Sequence, residues 1–423
     1  MIRRCGRRYS SLFDKWRRRN HRSILVILVL SEYRRRQVRR VPMPVVNDRS
    51  RPMNILALNW NDLANPYAGG AEVHLEELLR RLIQYGHTVT LFCSGWPGCK
   101  PEETIEGVRI IRRGNRYTFN LVAPFYLRRI ARAEKFDLLL EDINKIPFYT
   151  PLYLKMQRLV IIPHLFATTV FHETNFLLAS YIYIAELPLV PLYRGNKFNV
   201  ISESTAKDIT ARGIPAEDVS VIHCGIDRAL YAYDPEVTKY DRPTILYLGR
   251  IKKYKSIQHI IRALPGLKER VPGIRLMVVG AGDYLSQLQA LARRLGVGED
   301  VEFPGFVPKE DKVDRMRRAH VAVLPSLKEG WGLTNIEANS VGTAVVAADS
   351  PGLCDSVKHG YSGFLYPYGD IDELREYLYR LLFDHDLRRE IEHNALRWAE
   401  SFNWDRAAKE FEQLILKTVG EDA

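Results

Sequence analysis

Short apolar runs alternate with amphipathic runs along most of the chain. In the first half, NILALNW, HTVTLFC and FDLLLED are nearly all apolar, and helical patterns such as VHLEELLRRLIQYG lie between such runs. Buried strands that are separated by helices are typical of a parallel sheet covered on both faces. The pattern therefore predicts an α/β fold with doubly wound parallel sheets.

A polar, proline-bearing segment, DPEVTKYDRP, interrupts this alternation, which restarts at TILYLGR. A chain of 423 residues is also too long for one ordinary core. We predict Rossmann-like domains over 53–233 and 244–400, with a linker over 234–243. The helical end, 401–423, is expected to pack back on the first domain. Two such domains facing each other would place a ligand site in the cleft between them.

The net charge of +12 is concentrated at the N-terminus. Residues 1–52 contain sixteen basic residues against three acidic ones, so the rest of the chain is close to neutral. A near-neutral body does not favour nucleic acid as a partner. The apolar run SILVILVL in this basic extension is too short to span a bilayer. Two interpretations of 1–52 stay open: a peripheral anchor on an anionic membrane surface, or a disordered extension.

Two glutamates flank a glycine-bearing loop and a predicted helix start in KEGWGLTNIEA. Glu329 and Glu337 lie eight positions apart there, directly after the apolar strand VAVLPS. A helix start presents unpaired backbone N–H groups and the positive end of the helix dipole, which suit a phosphate. A carboxylate on either side is suited to the hydroxyls of a sugar and of a ribose. The stretch therefore suggests a sugar-nucleotide enzyme.

Two cations, Arg250 and Lys255, follow the first strand of the second predicted domain. Fixed cations at this place would stabilise the charge that develops on a nucleotide diphosphate leaving group, without a metal ion. The alternative is ordinary solvated surface, where most lysines and arginines lie.

Three further residues follow strands of the first predicted domain. Gly69 and Gly70 would let the backbone approach a phosphate or sugar closely, although a simple tight turn is the alternative. His164 follows the strand RLVIIP, where an imidazole is placed to contact a sugar, whereas a lone histidine is usually structural.

Acceptor groups are expected in the first domain, in EDINKIPFYTP or in FLLASYIYIAELPL. For the second segment, a buried helix is the favoured interpretation. The paired aspartates Asp370 with Asp372, and Asp384 with Asp386, resemble a metal-binding D-x-D motif. Their positions at helix ends favour capping, so no metal ion or other cofactor is expected.

The order and spacing of these motifs resemble the retaining glycosyltransferases of the GT-B fold, family 4, over about residues 54–404. NPYAGGAEVHL, FNVISEST, VSVIHCGID, FPGFVP and SGFLYP support the resemblance. It implies transfer of a hexose-type sugar from a UDP- or GDP-sugar to a glycan or lipid-linked acceptor, by a metal-independent front-face mechanism. It also implies a cytoplasmic enzyme, with a peripheral position on the inner face of the membrane as a further expectation. A sugar-nucleotide epimerase of the same architecture and a catalytically silent nucleotide-sugar-binding protein remain alternatives.

The resemblance also assigns roles to residues of the donor side. Glu329 would contact hydroxyls of the transferred sugar, Glu337 would hold the ribose, and Arg250 with Lys255 would hold the diphosphate. Backbone amides of one short segment would face the sugar and diphosphate: Gly330, Trp331, Gly332, Leu333 and Thr334.

The remaining assignments lie around this segment. Phe306 would lie near the base, Gly69 and Gly70 would close over the diphosphate, and His164 would contact the sugar. The family's G-G-x-x-E segment stands here as PGLCD, which leaves a role for Asp355 in doubt.

Overall fold

The chain folds as two α/β units in series. A computed structural model describes residues 51–172 and 175–420. Nearly all of the predicted extension 1–52 lies outside these described residues, so both interpretations of it stay predictions. The segment 222–243 connects the two units without a helix or strand of its own.

The first unit is built on an eight-stranded sheet with the order β3-β4-β2-β1-β5-β6-β7-β8. The strands are β1 (Asn54–Leu58), β2 (Thr88–Cys93), β3 (Glu102–Ile105), β4 (Val108–Arg112), β5 (Leu138–Asp142), β6 (Arg158–Ile162), β7 (Lys197–Val200) and β8 (Val219–Val221). All neighbours run parallel except β3 and β4. The order outward from β1 in both directions is the doubly wound pattern.

Helices cover both faces of this sheet, which explains why its central strands are buried and mostly apolar. They are α1 (Gly70–Gln84), α2 (Phe119–Ala133), α3 (Phe176–Glu186), α4 (Leu189–Tyr193) and α5 (Glu203–Ala211), with 3₁₀ turns at Thr150–Leu152, Ala167–His172 and Ala216–Asp218. Every residue of β5 and β6 is buried.

The second unit repeats the design with a six-stranded, all-parallel sheet of order β11-β10-β9-β12-β13-β14. Its strands are β9 (Thr244–Leu248), β10 (Arg275–Val279), β11 (Val301–Gly305), β12 (Val321–Leu324), β13 (Ala344–Asp349) and β14 (Gly363–Pro367). Its helices are α6 (Gln258–Arg270), α7 (Leu285–Arg294), α8 (Lys309–Arg318), α9 (Leu333–Ser340), α10 (Leu353–Ser356), α11 (Ile371–Phe383) and α12 (His385–Ala399), with 3₁₀ turns at Lys253–Lys255 and Gly298–Asp300. The prediction of two Rossmann-like, doubly wound sheets is confirmed.

The last helix, α13 (Trp404–Val419), returns from the second unit to pack on α1 of the first. Arg81 Nε donates to Asp405 Oδ1 at 2.6 Å, and Phe411 is fully buried in the contact. Gly225 makes the chain crossing possible, because a Cβ there would lie 2.2 Å from the backbone nitrogen of Trp404. This helix therefore ties the two units together.

One helix prediction was wrong. The segment FLLASYIYIAELPL forms α3 and the start of α4, but α3 is not a buried helix. Phe176 and Leu177 are 73% and 80% exposed, and only Ala179, Ala185 and Glu186 of the helix are buried. The side chains that face the protein are mostly small, so the large apolar ones point outward.

The paired aspartates are helix caps. Asp370 accepts hydrogen bonds from the backbone N–H groups of Asp372 and Glu373 at the start of α11. Asp384 does the same for Asp386 and Leu387 at the start of α12. The capping interpretation is confirmed.

Candidate active site

A largely buried ion pair lies at the carboxyl ends of the second unit's central strands. Lys255 ends the 3₁₀ turn after β9, Glu329 lies in the loop between β12 and α9, and the Lys255 ammonium donates to the Glu329 carboxylate. Burial by itself would lower the pKa of Lys255, but the charge of Glu329 outweighs it and the pKa is raised. Burial by itself would raise the pKa of Glu329, but Lys255 outweighs it and the pKa is lowered. Both groups are therefore charged at neutral pH.

The segment PGLCD holds the loop that carries Glu329. The Glu329 backbone N–H donates to the Pro351 carbonyl at 3.0 Å. A Cβ on Gly352, whose φ is +81°, would lie 2.2 Å from the Glu329 carbonyl oxygen. At the end of the segment, Asp355 Oδ2 accepts from the backbone N–H of Ser204 at 3.2 Å, across the boundary between the units. Asp355 thus links the two units.

The two units approach each other at His164 and Gly330. A Cβ on Gly330 would lie 3.6 Å from His164 Nδ1 and 3.2 Å from the Pro163 carbonyl oxygen. Burial, with the positive charge of Lys328, lowers the pKa of His164 to about 4. The imidazole is therefore neutral at pH 7 and can both donate to and accept from a hydroxyl group.

A second approach between the units brings Arg250 to the glycine pair. A Cβ on Gly69 would lie 3.8 Å from Arg250 Nη2. The Gly69 N–H donates to Glu72 Oε2 at 2.6 Å, in a capping box at the start of α1. A Cβ on Gly70 would meet nothing within 4 Å. Arg250 and the start of α1 thus face each other across the cleft.

The segment 330–334 divides between the cleft and the core. Gly332 is the N-cap of α9 with a φ of +69°, and a Cβ there would lie 2.5 Å from Ser356 Oγ. The indole of Trp331 is buried and stacks on the His223 ring at 4.3 Å. Leu333 packs against the same core, and Thr334 is half-buried. For Trp331, therefore, the backbone is available to contact a ligand and the indole is not.

Glu337 lies on α9 with both carboxylate oxygens engaged. Oε1 accepts from Tyr231 Oη at 2.6 Å, and Oε2 accepts from Lys312 Nζ at 2.6 Å. Sequence reasoning missed both partners. A charged carboxylate on a buried helix face signals that partners are needed, but nothing in the local sequence says which ones. On the neighbouring rim, the Phe306 ring follows β11 and is 58% exposed.

A polar cluster that the sequence analysis did not single out fills the carboxyl ends of β1 and β5. Asn144 Nδ2 donates to Asn59 Oδ1 at 2.9 Å, and Asn61 Nδ2 donates to Glu72 Oε1 at 2.9 Å. Glu72 is also the acceptor for the Gly69 N–H, so the cluster runs on toward Arg250.

Asp142 is the unusual member of this polar cluster. Its side chain is fully buried, and neither carboxylate oxygen has a hydrogen-bond partner among the described residues. Burial raises its pKa well above the ordinary value, and the negative charge of Glu72 adds to the effect. Glu141, next to it, is structural, because it accepts hydrogen bonds from Tyr193 Oη and from the Phe148 N–H. Of the segment EDINKIPFYTP, therefore, Asp142 and Asn144 belong to the polar cluster, whereas Glu141 does not.

Family models match both units of the chain. The model of the glycosyl transferases group 1 matches residues 233–398, and that of Glycosyltransferase Family 4 matches residues 68–230. A similar curated protein is the GDP-mannose-dependent alpha-(1-6)-phosphatidylinositol monomannoside mannosyltransferase of Mycobacterium tuberculosis. It is 27% identical over 397 residues, which are 88% of this chain and 100% of the relative.

Solved structures resemble the chain over both units. The sucrose-phosphate synthase of Thermosynechococcus elongatus aligns with a TM-score of 0.73 at 21% identity, covering 86% of this chain and 98% of that one. HepE of Anabaena, crystallised with UDP-glucose, aligns with a TM-score of 0.69 at 20% identity, covering 86% and 100%. With one family model on each of the two facing sheets, the chain belongs to the group 1 glycosyltransferases of the GT-B fold.

Proposed function

We propose that this glycosyltransferase moves a hexose-type sugar from a nucleotide diphosphate sugar to a hydroxyl of a glycan or lipid-linked acceptor, with retention of anomeric configuration. The bond between the sugar C1 and the diphosphate oxygen breaks, and a bond from C1 to the acceptor oxygen forms on the same face. The acceptor proton passes to the departing phosphate oxygen. No protein nucleophile is needed.

The observation that carries this proposal is the charged, buried pair Lys255 and Glu329 beside Arg250. Cations held in place before the reaction stabilise the charge that develops on the diphosphate, without a solvent or metal rearrangement. Glu329 keeps the ammonium of Lys255 in position and has a second oxygen for a sugar hydroxyl. The neutral imidazole of His164, on the opposite wall, suits a second hydroxyl of the same sugar.

The donor is proposed to be a GDP- or UDP-sugar. The M. tuberculosis relative is named as GDP-mannose-dependent, and HepE was crystallised with UDP-glucose. In the second unit, the exposed ring of Phe306 suits stacking on a base, and Glu337 suits the ribose hydroxyls.

The acceptor hydroxyls are proposed to bind the polar cluster at the ends of β1 and β5. Asp142 supports this assignment, because a buried carboxyl group without a protein partner is costly unless a ligand supplies the hydrogen bonds. Lys145, three residues after Asp142, has a pKa lowered chiefly by burial and lies near the charges of Glu72, Arg250 and Asp142. The M. tuberculosis relative is named as a phosphatidylinositol monomannoside mannosyltransferase, which favours a lipid-linked acceptor.

Labelled donors test the proposal directly. The full chain is incubated with labelled GDP-mannose, UDP-glucose or another nucleotide sugar, together with a lipid extract, with and without EDTA. We expect label in the lipid phase, unchanged by EDTA, and the donor's anomeric configuration in the product by NMR. Label that stays in an isomerised nucleotide sugar would indicate an epimerase, and a donor that binds without turnover would indicate a silent binding protein.

A further inference from the structure

Large apolar side chains cover the outer face of α3 and of the 3₁₀ turn before it. Phe176, Leu177, Tyr181 and Ile184 on α3, and Phe171 before it, are all exposed, by 38% to 80%. A surface helix normally turns its apolar stripe inward and its polar residues outward. On α3 large apolar side chains face outward as well, and a contiguous exposed apolar patch of this kind marks an interaction site. We call these five residues the α3 surface.

A basic margin lies on α2, which packs on the same buried cluster as α3. Ala185 of α3 and Ala123 of α2 belong to one buried cluster, so both helices cover the same part of the first unit's core. Leu121 and Phe125 on the outer face of α2 extend the apolar area, at 80% and 64% exposure.

Beyond these residues α2 presents only positive charge. Arg128, Arg129 and Arg132 are exposed, and α2 contains no acidic residue. On α3 the one acidic residue is Glu186, which is buried and accepts hydrogen bonds from the backbone N–H groups of Phe166 and Ala167. The face thus combines an apolar centre with cations at its edge.

We propose that the α3 surface, with the neighbouring face of α2, rests on an anionic phospholipid bilayer. Apolar side chains enter the interface while arginines bind lipid phosphates, which is the chemistry of a peripheral membrane surface. A protein partner of ordinary composition carries charges of both signs, so its binding surface here would not need to lack acidic residues. The inference rests on the proposed function, because a lipid-linked acceptor is held in such a bilayer.

The α3 surface is tied to the cleft wall that carries His164. Glu186, at the end of α3, binds the Phe166 N–H at 2.7 Å, and the Phe166 ring lies edge-on to the His164 ring at 5.2 Å. A bilayer that touches α3 therefore lies next to the acceptor side of the cleft. The lipid tail can stay in the membrane while the head group enters the site.

The α3 surface lies on the bilayer rather than crossing it. Phe176–Tyr193 is long and apolar enough for a membrane span by length and composition alone. However, α3 has 11 residues, about 16 Å of helix, against about 30 Å of hydrocarbon. Leu187 and Pro188 then interrupt it, and the buried Tyr193 donates to Glu141 in the core. Both ends of the stretch are thus fixed to the protein.

Sedimentation with vesicles tests the inference on the full chain, without donor or acceptor. Vesicles of phosphatidylcholine with phosphatidylglycerol are compared with phosphatidylcholine alone. We expect binding to the anionic vesicles that is about tenfold weaker for Leu177→Ser/Ile184→Ser, and also for Arg129→Glu/Arg132→Glu. Matched controls on the second unit are the exposed Phe383→Ser and the exposed pair Arg293→Glu/Arg294→Glu, which should bind as the native chain does.

The outcomes of this experiment distinguish the membrane inference from its alternatives. Equal vesicle binding by the native chain and both α3 and α2 variants would place any membrane contact elsewhere, 1–52 included, and overturns the inference. Absence of binding by the native chain overturns it as well. If instead the α3 variant abolishes self-association in ultracentrifugation with vesicle binding unchanged, the surface joins two copies. Failure of sugar transfer in the separate donor assay would refute the proposed function and leave the vesicle result standing.

Discussion

The backbone of Gly330 lies against the imidazole of His164, so that the second unit touches the first at the catalytic cleft. A Cβ on Gly330 would stand 3.6 Å from His164 Nδ1 and 3.2 Å from Ile201 Cδ1. Lys328 Nζ reaches Asp208 Oδ2 at 3.2 Å on the same side. The Glu329 loop therefore packs closely against the wall of the first unit.

Gly330→Ala should hold this cleft slightly open. The new methyl group would be tighter against Pro163 and Ile201 than an ordinary contact, so the walls must separate by a few tenths of an ångström. Small misplacements of reacting groups are costly, and we expect kcat to fall about tenfold, with nucleotide binding by calorimetry nearly unchanged. Gly298→Ala is the control, since its Cβ would make only ordinary contacts with Arg293. An equal kcat for both variants would show that closure at Gly330 does not limit transfer.

Removing one member of the Lys255 and Glu329 pair should lower stability as well as turnover. The side chains are only 14% and 19% exposed, so a single substitution leaves a largely buried charge unpaired. We expect Lys255→Met and Glu329→Gln each to cost about 3 kcal/mol of unfolding free energy in urea, and transfer to fall about 10²- to 10³-fold.

The double variant Lys255→Met/Glu329→Gln separates these two effects. It carries no unpaired charge, so most of the lost stability should return while transfer stays low. Strictly additive losses of stability would mean that the two side chains do not interact in solution.

The sequence predicted the parts of this molecule that depend on local pattern. Apolar strands, capped helices and the strand–loop–helix order around Glu329 all follow from periodicity and from turn residues within a few positions. The partners of Glu337 do not, because Tyr231 lies 106 residues away and only the folded chain brings it near. The role of Asp355 was hidden for the same reason, since it binds Ser204 of the other unit.

Side-chain direction is the second thing that the sequence left undetermined. FLLASYIYIAE is apolar around its whole circumference, so composition could not distinguish a core helix from an exposed one. Trp331 stands between two glycines of the predicted phosphate loop, yet its indole turns back onto His223. In both cases the tertiary packing, not the local sequence, decides which side chains are accessible.

Loosening Glu337 should affect the donor more than the acceptor. Tyr231→Phe and Lys312→Met each remove one of the two hydrogen bonds that orient the carboxylate. We expect the KM for the nucleotide sugar to rise about fivefold to tenfold, equivalent to roughly 1 kcal/mol per charge-assisted hydrogen bond, while the acceptor KM stays the same. Tyr233→Phe, at an exposed position nearby, is the matched control. A rise in the acceptor KM alone would contradict the assignment of Glu337 to the ribose.

Asp142 should make the stability of the protein depend on pH. Its pKa is raised in the folded protein by burial and by Glu72, whereas the unfolded chain has an ordinary value of about 3.9. Between these two values the folded state holds a proton that the unfolded state has lost. Stability should therefore fall as pH rises above about 4, and level off once the folded-state carboxyl has also ionised.

Asp142→Asn removes that titration but keeps the shape of the side chain. We expect the variant to match the native protein at pH 4, to exceed it in unfolding free energy at pH 8, and to bind the acceptor more weakly, seen as a raised KM. The control is Asp372→Asn, a surface position that is 85% exposed in its ion pair with Arg375. If the Asp142 carboxyl group is kept buried at a cost to stability because it binds the acceptor, the variant should show both the higher unfolding free energy at pH 8 and the raised acceptor KM. If Asp142→Asn gains stability at pH 8 with an unchanged acceptor KM, the polar cluster does not bind the acceptor.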